Sequence, residues 1–452
     1  MKPSNFAAQN RFCLYPDFRY LVAALGIDPP QWLGLFKTFG LLVALSFIAA
    51  ATTLSLELKR KEKEGFFRPD IEEVVIGKKI SQMQAALNAV LYFLLAYKIG
   101  GIITGYSAVM PDPMSYIFSG NGNFLIGLLG AAVSLYSTWS ANKKIGNTPP
   151  QVKKRLIHPY ERMSQILVVA AVSGFAGAKI FNAFESWDEF VANPASLLAS
   201  AGFTFYGGLI VAAIALFFYC RKRGWDFRQF CDATAPGLIL AYGIGRLGCQ
   251  FAGDGDWGII NSAYITAADG SLQHTTQPEA YKTVLQYAPN FARDQAANDS
   301  VSAQYVTAPA GIPRWLVAMN YPKNVNNVGI PLEGCEGDYC AVLPTGVFPT
   351  PIYESVAGIA IFFLLWGLRK RIRRPLHLFG IYLVLNGLER FLVEKIRVNY
   401  KYDWGFLHPS QAEIISACLM LGGIVILLFY RPRPAVPVKA APVPLTDEGR
   451  VR

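Results

Sequence analysis

Apolar residues along this chain gather in nine long blocks separated by polar stretches, near 33–54, 82–106, 122–139, 163–183, 204–220, 232–251, 352–368, 376–393 and 411–430. Each is close to the roughly 20 residues a helix needs to cross a hydrocarbon core about 30 Å thick. The pattern predicts an all-α polytopic membrane protein with about nine transmembrane helices. The connecting segments alternate in charge. Segments 59–79, 143–162, 221–228, 369–374 and the tail from Arg431 are rich in Lys and Arg, whereas 107–121 and 184–202 contain neither. Lys and Arg favour the cytoplasmic side. The amino terminus is therefore expected outside the membrane and the carboxyl terminus in the cytoplasm, an assignment under which every span alternates correctly.

One polar stretch, 253–349, interrupts this rhythm with Asp, Asn, Gln, Thr and Pro. A structureless loop of that length is unusual, so an external loop or head domain with short strands or helices is expected there. The expected organisation is an external amino terminus and first helix (1–60), a cytoplasmic loop and helical hairpin (61–160), a helical core (161–252), the external head (253–350), carboxyl-terminal helices (351–432) and a disordered cytoplasmic tail (433–452).

Composition agrees with a membrane class: 52% of the 452 residues are hydrophobic and only 16% charged. The net charge of +11 sits in short runs beside apolar blocks, where lipid headgroups and topology account for it and no nucleic-acid surface forms. Asp17, Arg19, Asp28 and the pair Pro29-Pro30 leave no apolar core for a cleavable signal peptide. Insertion is then expected to rely on the first span. Cys13, Cys220, Cys231, Cys249 and Cys418 show no metal-ligand spacing, and with four histidines the chain implies no metal and no organic cofactor. Cys335 and Cys340 are close enough in sequence to pair. They form a disulfide if their loop meets an oxidising compartment and stay as thiols otherwise.

Ionisable residues within spans are costly to insert and are functional candidates. Arg246 lies in Gly243-Ile-Gly245-Arg246-Leu-Gly248, near the outer end of the sixth block, where small residues admit a close neighbour. Arg390 and Glu394 share one face toward the outer end of the eighth block, and Glu354 occupies the same depth on the seventh. Two arginines and two carboxylates thus fall at the level where phospholipid phosphates lie. Simple snorkelling to the headgroups is the other reading. For Glu394, a structural ion pair with Arg390 and a chemical role both remain open.

The stretch Gly245-Arg-Leu-Gly-Cys-Gln-Phe-Ala-Gly-Asp-Gly-Asp-Trp-Gly258 resembles the glycine-rich arginine signature of the prolipoprotein diacylglyceryl transferases. Phe205-Tyr-Gly-Gly-Leu-Ile210, Asp232 with Ala235-Pro236, Phe348-Pro-Thr-Pro-Ile-Tyr-Glu354 and Arg390-Phe-Leu-Val-Glu394 resemble further family segments in the family's order, and Thr38-Phe-Gly-Leu-Leu42 its first span. The resemblance implies transfer of a diacylglyceryl group from phosphatidylglycerol to the lipobox cysteine of a prolipoprotein, with glycerol phosphate released. It implies Arg246, Arg390, Glu394 and Tyr206 as catalytic, and Gly207, Gly208, Gly245, Gly248, Cys249, Gly253, Asp254, Tyr353 and Glu354 as substrate-binding. Its partners would be phosphatidylglycerol, prolipoprotein signal peptides and membrane lipids.

The sequence departs from the family's motifs in two places and from its plan of spans in a third. Tyr206 stands where many members have histidine, so a phenol would bind substrate or relay a proton, with His408 as a substitute. Cys249 stands where many have asparagine, followed by Asp254 and Asp256. The blocks between 81 and 138 look like a hairpin inserted into the usual seven-span plan, and Lys98 within it has no assigned partner. A non-catalytic lipid- or lipoprotein-binding relative, or an anion or lipid transporter, are the competing readings. No internal repeat supports the transporter.

Overall fold

Nine helices of 18 residues or more form among the described residues, one at each apolar block: α1 (Thr38–Lys63), α2 (Gln82–Thr104), α3 (Phe124–Ile145), α4 (Met163–Glu185), α5 (Phe205–Lys222), α6 (Phe227–Ala252), α7 (Thr350–Leu368), α8 (His377–Glu394) and α9 (Gln411–Phe429). The structure is a computed structural model that describes residues 14–105, 116, 119–146, 151–192, 204–298, 300–335 and 337–430; the tail 433–452 lies outside these. Six helices, α1 to α4, α7 and α9, are long and apolar enough to cross a membrane by length and composition. The protein is a multi-pass membrane protein. In contrast, α6 and α8 carry polar side chains, among them Asp232, Arg246 and Gln250 on one and Glu389, Arg390 and Glu394 on the other.

Helix starts follow local capping chemistry. Ser81 and Gln84 form a reciprocal capping box at α2, and Ser410 and Glu413 do the same at α9. Asn123 caps α3 through the Ile126 amide. At α8 the cap comes from a distant residue: Asp232, buried in α6, accepts from the amides of Leu376 and Phe379, both at 2.8 Å. The family-like Asp232 is therefore a structural cap that satisfies two otherwise orphaned donors.

The described residues divide into two compact units, 14–60 with 228–430 and those between 61 and 227. In the first, glycines let helices approach closely. A Cβ on Gly243 of α6 would lie 3.1 Å from the Ser355 carbonyl of α7, and one on Gly423 of α9 would lie 2.6 Å from the Gly380 carbonyl of α8. Such backbone contact is how apolar helices gain packing energy where lipid competes for every side chain. Overpacking costs about 1–3 kcal/mol, so Gly423→Leu should lower the melting temperature of the detergent-purified protein. Gly422→Ala, beside open space, should leave it unchanged or raise it.

Between α6 and α7 the polar stretch folds on its own core of Trp257, Ile260, Phe291, Met319, Tyr321 and Leu343. Its sheet is built on β3 (Ile260–Thr266), which pairs antiparallel with β4 (Leu272–His274) and β6 (Thr345–Val347) and parallel with β5 (Ala303–Gln304). Asn261, fully buried, ties the layers by donating to the Val306 and Val317 carbonyls and accepting from the Val306 amide. Cys335 and Cys340 are joined by a disulfide. That bond closes a small turn outside the core, which is held by packing.

In the second unit α2 packs on α3 and α4 on α5. The basic connecting segments, read above as loops, form an antiparallel ribbon of β1 (Asp70–Ile76) and β2 (Gln151–Ile157). Alternating apolar positions and the pairing of an acidic strand with a basic one, Glu72 opposite Arg155 and Glu73 opposite Lys154, favour strand over coil. Lys98 turns inward to the loop joining α2 and α3 and donates to the carbonyls of Tyr116, Ser119 and Asn121 at 2.8, 2.5 and 3.0 Å.

Candidate active site

The site is built on α6, α7 and α8 of the first unit. Glu354, the fifth residue of α7, is fully buried, and three guanidinium groups meet it. Arg390 Nη1 of α8 donates to Oε1 at 2.9 Å, Arg246 Nε of α6 lies 3.2 Å from Oε2, and Arg397 Nη1 lies 3.5 Å from Oε1. A second carboxylate, Asp256, links two of the same arginines: Arg246 Nη1 bonds one oxygen and Arg397 Nη2 donates to the other at 2.7 Å. Arg390 Nη2 also meets Glu394 at 3.0 Å, one helical turn on. A planar fork with separate donors on several edges suits this multiple bridging.

Glu394 is itself held. Its Oε1 accepts from Ser410 Oγ and Asn399 Nδ2, both at 2.6 Å, which fixes the rotamer that orients Arg390. Arg397 is positioned by backbone. As the chain leaves α8, Ile259 N donates to the Ile396 carbonyl at 2.9 Å, and a Cβ on Gly258 would come within 2.5 Å of that oxygen. Only glycine allows the two strands to approach so closely. Tyr242 lies beneath Arg246, 5.2 Å from guanidinium to ring, and donates to Glu389 at 3.4 Å.

The carboxylates of the loop after α6 differ in character. Burial pushes the Asp256 carboxyl up, but Arg397 and Arg246 outweigh it and hold it below the ordinary range. Its ion pairs therefore contribute stability above the unfolded carboxyl value of about 3.9 and lose it only as pH falls through the lowered folded value. Asp254 goes the other way, raised by burial and by the neighbouring Asp256. Its ionised form costs stability at neutral pH and nothing once both states are protonated. Asp254→Asn keeps the oxygen that accepts from the Asp256 amide, so it should raise the melting temperature at pH 7. The gain over wild type should shrink as pH falls into the carboxyl range.

The structure brings Arg246, Arg390, Glu354 and Glu394 into one network. It adds Arg397, which sequence reading missed, and gives Asp256 a place in it. The spacing of Arg390, Glu394 and Arg397, at i, i+4 and i+7, was the available signal. Other residues expected to bind substrate make packing, turn or hydrogen-bond contacts within the fold. Gly207 and Gly208 of α5, in the second unit, sit against backbone and side chains of α4, and Gly248 packs on Phe39 and Leu42 of α1. Gly253 turns the chain at φ +64° against Asn324, and the Tyr353 hydroxyl donates to the Leu316 carbonyl. Gly245 alone among these glycines borders open space. Tyr206 lies on the first turn of α5, and the exposed His408 has its Nε2 3.2 Å from Asp403 Oδ1.

No metal was expected, yet Cys249, Asp254 and Asp256 each bring a ligand atom within 4.8 Å of the others. The donor set does not suit a cation, because both Asp256 oxygens are engaged by Arg246 and Arg397, whose charges oppose one.

Residues 123–429 match the profile of the prolipoprotein diacylglyceryl transferase family. The chain belongs to that family. Among curated relatives, the phosphatidylglycerol–prolipoprotein diacylglyceryl transferase of Leptospira interrogans is 24% identical over 63% of this chain and 83% of its own. An enzyme of the same name, numbered 2, from Clostridium perfringens is 23% identical over 59% and 78%, and that of Xanthomonas oryzae 26% over 60% and 75%. The family match contains every residue of the arginine network. It includes α3 but not α2, so the border of the family region falls within the helical pair read as an insertion.

Proposed function

We infer that this protein transfers the diacylglyceryl group of phosphatidylglycerol to the lipobox cysteine of prolipoproteins, the first step of bacterial lipoprotein maturation. The observation that carries the reading is the meeting of three guanidinium groups on the buried Glu354, within a chain of this transferase family. In the reaction a cysteine thiolate attacks the glycerol carbon that bears the phosphate ester. A C–S bond forms, the C–O bond breaks, and glycerol phosphate departs with added negative charge. Preoriented arginines stabilise charge that develops in the transition state.

Arg246, Arg390 and Arg397 take the phosphate, while Glu354, Glu394 and Asp256 hold them in place. Glu394, bonded by Arg390, Ser410 and Asn399, is thus a positioning residue. The unperturbed thiol, with a pKa of about 8.5, must lose a proton before it attacks. Open space beside Gly245 lets the lipid glycerol approach the α6 backbone. The charge of the connecting segments supports an inner membrane orientation with the amino terminus outside and the carboxyl terminus in the cytoplasm. The 253–349 fold then lies outside, where a disulfide persists.

The test uses purified protein, labelled phosphatidylglycerol and a lipobox peptide. Thioether-linked label on the peptide, absent when its cysteine is replaced by serine, is the expected result. A folded, lipid-binding protein that transfers nothing across several phospholipids and peptides would instead be a non-catalytic relative.

A further inference from the structure

The β1–β2 ribbon has one face tied to the protein and one whose apolar side chains are exposed among the described residues. Because side chains alternate along a strand, Asp70 and Glu72 share one face, and there Arg162 reaches both at 3.1 and 2.7 Å while Arg223 donates to Glu72 at 2.8 Å. These ion pairs, which hold the Glu72 carboxyl below its ordinary range through Arg162 and Arg223, fasten the ribbon to the ends of α4 and α5. The other face carries the cross-strand pairs Ile71 with Leu156 and Val75 with Val152, and Glu73 with Lys154 between them. All four apolar side chains are exposed. A lone two-stranded ribbon with an apolar face is marginal in water, so the face calls for an occupant.

The chain around it points to lipid. β1 lies between the end of α1 and the start of α2, and β2 between the end of α3 and the start of α4, each within about six residues of both. Four apolar helices that cross the membrane therefore tether the ribbon to its surface. Segments 59–79 and 143–162 together hold thirteen Lys or Arg against six Asp or Glu. Lys78, Lys143, Lys144 and Lys154 are exposed, and Lys154 lies on the apolar face itself. An apolar face rimmed by lysines is the pattern of an element lying in a headgroup layer of negative charge.

We propose that the β1–β2 ribbon is an interfacial element that seats Ile71, Val75, Val152 and Leu156 among the headgroups of anionic phospholipids. The occupant is the surface of the bilayer that the protein itself crosses.

The test places an environment-sensitive fluorophore on Val75→Cys in the full chain, read against identically treated protein without the substitution. The protein is reconstituted in phosphatidylcholine nanodiscs with or without phosphatidylserine, an anionic lipid outside the proposed reaction. A blue shift and quenching by brominated lipid in the anionic discs, reduced by high salt and lost on combining Lys78→Gln, Lys144→Gln and Lys154→Gln, are expected. Equal quenching in neutral discs would overturn recognition of anionic charge. A water-like spectrum in both would overturn membrane seating, and shielding without lipid quenching that scales with two copies per disc would assign the face to a second chain. If Val75→Cys fails to fold, Val152→Cys reports from the opposite strand of the same face.

Discussion

Arg246→Ala should abolish measurable transfer of diacylglyceryl to a lipobox peptide while the protein still inserts and purifies as a folded species. Removing one fixed donor to a developing oxyanion commonly lowers turnover by about 10²–10³, and this residue also aligns Asp256 and Glu354. Glu354 keeps Arg390 and Arg397 as partners, so the buried carboxylate is not abandoned and the fold is spared. Arg246→Lys is expected to fail nearly as badly. A single ammonium cannot meet two carboxylates on different elements and a phosphate in one plane. Full activity in either variant, measured as thioether-linked label at saturating lipid, would remove Arg246 from the chemistry.

The largest loss of stability is expected from Glu354→Ala. Three guanidiniums would then face one another around a cavity in which Asp256 and Glu394 are the remaining network carboxylates. Breaking a buried ion pair by removing one partner costs about 3–5 kcal/mol, and here one side chain serves three arginines. The variant should melt far below wild type in detergent, whereas Glu354→Gln, which retains the shape and one acceptor oxygen, should fall between them. A melting temperature unchanged in both would mean that the arginines find solvent or lipid partners instead.

Helices and depth were legible in the sequence because both follow from one-dimensional rules. Apolar run length marked nine helices, and depth along them put Arg246, Glu354, Arg390 and Glu394 at one level. What could not be read was contact made by chain that has left a helix. Arg397 lies three residues past the end of α8 and is held by β-like pairing with Gly258, a contact between residues far apart in the chain. The same holds for the glycines: the motifs show Gly207, Gly208 and Gly248, but not the neighbouring helices that approach them too closely for a side chain. The ribbon was obscured by its charge, since Lys-rich segments beside spans read as loops until an acidic strand is found opposite.

The three arginines of the network are matched by Glu354, Glu394 and Asp256, one formal charge against another. A pocket so balanced exerts little pull at a distance, because steering of an ion from bulk needs net charge. Phosphate ions dissolved in the surrounding water would have to displace a carboxylate from its arginine at their own dilute concentration. A phospholipid confined to the bilayer arrives at a far higher effective concentration. The pocket's neutrality at rest thus works as a filter, one that selects by the phase from which the anion comes.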